Sequence, residues 1–163
     1  MKLSLFLFAA FVGQVVSFSP SNRALTRRSG ITMSHFSTVQ TQLKNKDLLV
    51  KSLKDVNANV IVAEETMPVR GYQGETVQAE LAIQQENGQD IGFRFNGQTY
   101  EMVADLQFWG QTVPVETFLE KVTQRYSVNA VLESAQEGGF STDSFVTNSQ
   151  TGTVEIELSR YVA

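Results

Sequence analysis

From Thr76 to Gln84 the chain alternates, with Val77, Ala79, Leu81 and Ile83 on one side of an extended backbone and Thr76, Gln78, Glu80 and Gln84 on the other. Side chains on a strand point to opposite faces with a period of two, so this stretch is a half-buried strand, the kind found in antiparallel sheets. Two Asn-Gly pairs follow, Asn87-Gly88 and Asn96-Gly97. Both central positions of a type I′ turn need positive φ, which makes these pairs hairpin signals. A two-residue turn at Asn96-Gly97 sets Phe93 opposite Tyr100 and Ile91 opposite Met102. With Phe95, those four line one sheet face as a core ladder.

Helical spacing brackets this sheet. Lys46 to Asn57 places Leu49, Leu53 and Val56 on one face with Lys51 and Lys54 outside. After Pro114, whose missing N–H costs nothing at a helix start, Val115, Phe118, Leu119, Val122 and Tyr126 recur at helical intervals. A second apolar set, Val128, Val131, Leu132 and Ala135, is shifted from the first, which predicts a bend near Ser127. Strands are expected at 35–42, at 59–64 and in a closing hairpin of 143–148 with 153–161, and a loop at Pro68 to Gly74, where proline and glycines punctuate the chain. The order β-α-β-β-β-β-α-β-β predicts an α+β fold, an antiparallel sheet with two main helices packed on one face.

The N-terminus has a different chemistry. Met1 and Lys2 precede an apolar run from Leu3 to Val16, too short for a comfortable membrane span and ending in small residues, which reads as a signal peptide over 1–17. Residues 18–32 are rich in Ser, Thr and Arg and contain no acid, as transit peptides do. The expected organisation is therefore a bipartite plastid leader and one α+β domain at 33–163. The alternative is a secreted protein with a basic linker after cleavage. Removing Lys2, Arg23, Arg27 and Arg28 leaves nine basic against seventeen acidic residues, a formal charge of −8 for the mature part. Such a surface repels phosphate backbones, so no nucleic-acid partner is expected, nor a membrane span in the mature form. The chain has no cysteine, which excludes disulfides, thiolate nucleophiles and Cys-based metal sites within it.

Several strings in the mature part resemble one family: Met-Ser-His-Phe-Ser-Thr at 33 to 38, Pro-Val-Arg-Gly-Tyr-Gln-Gly at 68 to 74, Asp-Ile-Gly-Phe at 90 to 93, Tyr-Glu-Met-Val-Ala-Asp-Leu at 100 to 106, and Phe-Leu-Glu-Lys-Val-Thr-Gln-Arg-Tyr at 118 to 126. Together they are similar to the hypothetical chloroplast reading-frame family numbered thirty-five, whose members begin at the methionine matching Met33. The resemblance implies a photosynthetic lineage and a stromal home, and brings no reaction or catalytic residues with it.

Candidate site residues come from the residues themselves. His35 is the only histidine, so any imidazole chemistry passes through it. Arg70 and Tyr72 lie in a glycine-bearing stretch where a guanidinium fork can meet carboxylate or phosphate. The structural alternative is that Arg70 bridges to an internal acid such as Asp90 or Asp105. Those two aspartates, with Arg125, complete a possible small-molecule site. Glu101 is expected in a surface cross-strand pair with Arg94, and Trp109 either in the core or as an aromatic anchor for a partner. No phosphate loop, HExxH pair or nucleophile elbow is present. The expectation is a stromal, non-enzymatic binding or assembly factor with a protein partner and no cofactor or metal. The competing expectation is a small-molecule binder or enzyme using the loop from Arg70 to Gly74.

Overall fold

The computed structural model describes residues 2–9, 36–56, 58–148 and 152–161. In chain order the elements are β1 (Lys2–Ala9), β2 (Phe36–Gln40), α1 (Lys46–Asp55), β3 (Val60–Arg70), β4 (Thr76–Ile83), β5 (Ile91–Phe95), β6 (Tyr100–Asp105), α2 (Val115–Glu137), β7 (Ser141–Thr147) and β8 (Val154–Tyr161). From β2 onward this is the expected order, and the class is α+β. Most of the expected leader, including its junction, lies outside the described residues.

Five strands form an antiparallel sheet in the order β2-β6-β5-β4-β3. Of the set expected on one side of β4, Val77 and Ala79 lie in a separate cluster with Ala82, while Leu81, Ile83, Phe93 and Met102 share one face. There they are buried with Leu49 and Leu53 of α1 and Phe118, Leu119 and Val122 of α2. Each such side chain contributes about 1.5–3 kcal/mol on burial, which makes this layer the main source of cohesion. The Asn45 side chain starts α1 by accepting the N–H groups of Asp47 and Leu48.

The closing hairpin does not join this sheet. β7 pairs with β8, and β1 lies along the other side of β8. Helix α2 links the two sheets, because Val128 and Ala135 pack on Val154, Ile156 and Leu158 while its first half packs on the main core. The helix with the expected bend near Ser127 is a single element, continuous from Val115 to Glu137. The shifted apolar sets face two different sheets.

Two further expectations are corrected. Phe95 pairs with Tyr100 and Phe93 with Met102, so the β5–β6 loop has four residues rather than two. Asn96 accepts the N–H groups of Gln98 and Thr99 on its side chain, and Gly97, at φ +95, alone has positive φ within the loop. That closes a wider turn than type I′. Pro68 to Arg70, expected in a loop, belong to β3, an outer strand where proline's missing N–H is tolerated.

Beyond a break in register between Val62 and Met67, the β3–β4 hairpin folds over the second face of the sheet. Val69 and Ala79 pack there with Ala82 and Val103, bordered by Phe36, Met67 and Val77. Gly92 permits the approach, since a Cβ at that position would stand 2.6 Å from Val69 Cγ2 and 2.8 Å from Val103 Cγ2. At the tip, Gly71 meets the ring of Phe36 on the opposite outer strand.

Candidate functional site

The folded-over arm carries Arg70 to Asp90, in the segment leading into β5. Arg70 Nε donates to Asp90 Oδ2 at 2.7 Å and Arg70 Nη2 to Asp90 Oδ1 at 2.8 Å, a two-pronged pair. The backbones join as well, with the Asp90 N–H donating to the Arg70 carbonyl at 2.7 Å. Asp90 is buried and also accepts the Gln85 N–H at 3.3 Å. Burial alone would push its carboxyl up. The hydrogen bond from Arg70, the N–H groups of Gln85 and Arg70 and the nearby guanidinium outweigh that and hold it below the usual carboxylate range. The same hydrogen bond, then the negative charge, raises the Arg70 guanidinium. Of the two acids open to Arg70, Asp90 takes it.

Tyr72 pins the tip of the arm by stacking on Phe108, with ring centroids 4.7 Å apart and planes inclined by 12°. Phe108 ends a short 3-10 turn, Leu106–Phe108, that Asp105 starts by accepting the Gln107 N–H on Oδ1 at 3.1 Å. Asp105 is buried, and its other oxygen, Oδ2, has no hydrogen-bond partner. Gln85 ties this turn to the β4–β5 loop, accepting the Gly110 N–H at 3.0 Å and donating to the Gln89 carbonyl. Arg70 and Asp90 therefore meet at the arm, Tyr72 is held by the Phe108 ring, and Asp105 is linked to them only through the turn that carries Phe108.

The remaining candidates lie elsewhere. Trp109 is half-buried, donates Nε1–H to the Val113 carbonyl at 2.7 Å and packs edge-on against Phe118, with centroids 5.5 Å apart. Arg125 lies on α2, with its guanidinium carbon 6.0 Å from the Phe145 ring centroid on β7. His35 lies outside the described residues. Among the described residues no group of three or more His, Asp or Glu side chains is placed to hold a metal.

Two polar clusters go beyond the expectation: the cross-strand pair of Glu101 with Arg94 is present but extended, and a second cluster lies between the helices. Glu101, expected at the surface, is buried and binds Arg94 Nη2 at 3.1 Å, Gln40 Nε2 at 2.7 Å and Asn96 Nδ2 at 2.8 Å. Burial pushes its carboxyl up, and the bonds from Asn96, Gln40 and Arg94 bring it below the ordinary value. Between the helices, Asn129 Nδ2 donates to Ser52 Oγ at 3.1 Å and to Asp55 Oδ2 at 2.9 Å. A sequence signal existed for this one. Asn129 follows Phe118 and Val122 at helical spacing, a polar residue on an apolar stripe.

Comparison with known proteins adds kinship. A family model described as "Protein of unknown function (DUF1257)" matches residues 52–156. A protein of Guillardia theta described as "Uncharacterized protein ycf35" is 43% identical over 129 residues, covering 79% of this chain and 98% of that relative. Proteins of the same description from Cyanophora paradoxa and Trieres chinensis are 33% and 30% identical over 108 residues, 66% of this chain and 83% and 84% of theirs. No solved structure matches. Among the described residues no helix is long and apolar enough to cross a membrane. The chain belongs to the DUF1257 family, together with the ycf35 proteins of these plastid-bearing organisms.

Proposed function

We propose that the mature domain is a stromal protein that works by binding another protein, a non-enzymatic assembly factor linked to photosynthesis. The bipartite leader and the kinship with ycf35 proteins support the plastid address. The observation that carries the binding role is the exposure of Phe145 and Val146, at 40% and 55%, on a strand exposed along nearly its whole length. Arg125 lies beside that Phe145 ring. Aromatic side chains and arginine together are what protein interfaces favour. The immobilised domain should retain the same protein repeatedly from stromal extract, and a Phe145→Ser, Val146→Ser variant should lose it. Recovery of nothing above a blank column contradicts the reading.

A second reading, a small-molecule site around Arg70 to Gly74, has one observation in its favour. The Arg70 side chain is 50% exposed while Asp90 holds its orientation. A rise in melting temperature with inorganic phosphate or a small carboxylic acid, absent in Arg70→Gln, would favour it.

A further inference from the structure

Helix α2 and the closing hairpin form a second core, with Val154, Ile156 and Leu158 of β8 buried beside Val128 and Ala135. The sheet over that core has the order β1-β8-β7, and its third strand comes from the other end of the chain. β1 lies antiparallel along β8 in an unbroken register, from Lys2 with Tyr161 to Ala9 with Val154. The register of β8 with β7, by contrast, breaks between Thr142 and Ser144.

β1 falls inside residues 1–17, the stretch that reads as a signal peptide. Removal of that stretch turns β8 into an outer strand and leaves the N–H and C=O groups along one side of it open. The sheet is then a two-stranded hairpin, marginal without further cover. β8 contains no proline, and its side towards β1 has no bulge.

We infer that the outer edge of β8 is a strand-accepting site, which in the mature domain takes an extended segment of the protein partner, antiparallel and in the place that β1 occupies. The inference rests on the binding role proposed above and names how the partner is held. In this mode main-chain hydrogen bonds supply affinity and alternate side chains supply choice. Positions opposite Val154, Ile156 and Leu158 continue the face that α2 covers, and call for apolar side chains. Positions opposite Glu155 and Glu157 fall on the other face. There a domain at −8 calls for lysine or arginine. The occupant is thus a strand that alternates apolar and basic residues, and a second copy, as acidic as the first, is disfavoured.

The chain from Ser34 is the form to test, because it keeps the residues from Phe36 to Leu158 that supply the three hydrophobic clusters. A relative does without the β1–β8 pair, since the 129 residues that cover 98% of the Guillardia theta protein are too few to reach from β1 to β8. A peptide of Lys2–Ala9 carrying Phe6→Lys and Phe8→Lys places its new lysines opposite Glu157 and Glu155. It should bind the chain from Ser34 and slow hydrogen exchange across Val154–Tyr161. Only alternate N–H groups of an added strand point at its neighbour. N-methylation of one alternate set in the peptide should therefore weaken binding about tenfold or more, while methylation of the other set leaves it unchanged. Glu155→Lys, at an exposed position, should weaken this peptide and favour one carrying Phe8→Glu. The lysine peptide should also displace the captured stromal protein. No binding, equal effects of the two methylated sets, or a chain from Ser34 that does not fold overturns the inference. A captured protein that the peptide leaves in place overturns it too, while the binding role stands. A column that captures nothing removes the binding role, and the methylation result then decides the edge by itself.

Discussion

A methyl group of Val69 lies 2.6 Å from where the Cβ of any larger residue at Gly92 would stand, with Val103 Cγ2 at 2.8 Å on the other side. The arm of β3 and β4 thus closes over the sheet at the one position of β5 that lacks a side chain. Gly92→Ala should destabilise the domain by about 1–3 kcal/mol through overpacking. Val69→Ala in the same chain should recover part of the loss. A denaturant-unfolding cycle reads the coupling, and additive effects would mean that the two positions do not touch.

Asp90 holds the arm from beneath. Asp90→Ala leaves the N–H of Gln85 and both prongs of Arg70 without their acceptor, a loss of roughly 1–3 kcal/mol. Hydrogen exchange should quicken in residues 67–79 more than in α1 or α2. Uniform quickening would show that the pair supports the whole fold rather than the arm.

Two of the buried carboxylates, Asp90 and Glu101, set an acid limit. Asp90 and Glu101 are both held below their ordinary values, so their stabilisation is complete above the unfolded carboxylate values of about 3.9 and 4.3 and is lost as pH falls through the folded ones. Urea midpoints should be flat from neutral pH down to about pH 5 and fall below about pH 4. Asp90→Asn should be weaker at neutral pH and fall less steeply in acid. An identical acid slope in wild type and variant would separate Asp90 from that fall.

Asn129 sets how α1 meets α2. Asn129→Leu should leave Ser52 and Asp55 each short of a donor and cost about 1–3 kcal/mol, read as a lower urea midpoint. Asn129→Leu paired with Ser52→Ala should cost less than the sum of the two single changes, because the hydroxyl oxygen that has lost its donor is then removed.

Much of this architecture was legible from local pattern. The alternation from Thr76 to Ile83 located β4, though its inward set divides, with Leu81 and Ile83 facing the helices and Val77 and Ala79 in the arm's cluster, and helical spacing after Pro114 located both packing surfaces of α2. What failed were decisions made by side chains over a distance. The Asn96 side-chain oxygen Oδ1, accepting two backbone N–H groups, moved the β5–β6 register by two residues without changing which face is buried. Pro68 and Gly71 resemble loop punctuation, yet one lies in an outer strand and the other lets the arm approach Phe36. Arg70 advertised an acidic partner, but the choice of Asp90 over Asp105 depends on how the arm curls, which no local spacing encodes. Glu101 looked like a surface residue because its three partners come from β2, β5 and the β5–β6 loop.

The central functional claim is that the domain acts through a protein partner engaged at the exposed hairpin. Hydrogen exchange on the domain bound to its captured stromal partner tests it most directly. The account predicts slowed exchange across Ser141–Thr147, with the segment from Arg70 to Gly74 unchanged. Protection confined to the Arg70 segment, or none on either, contradicts it.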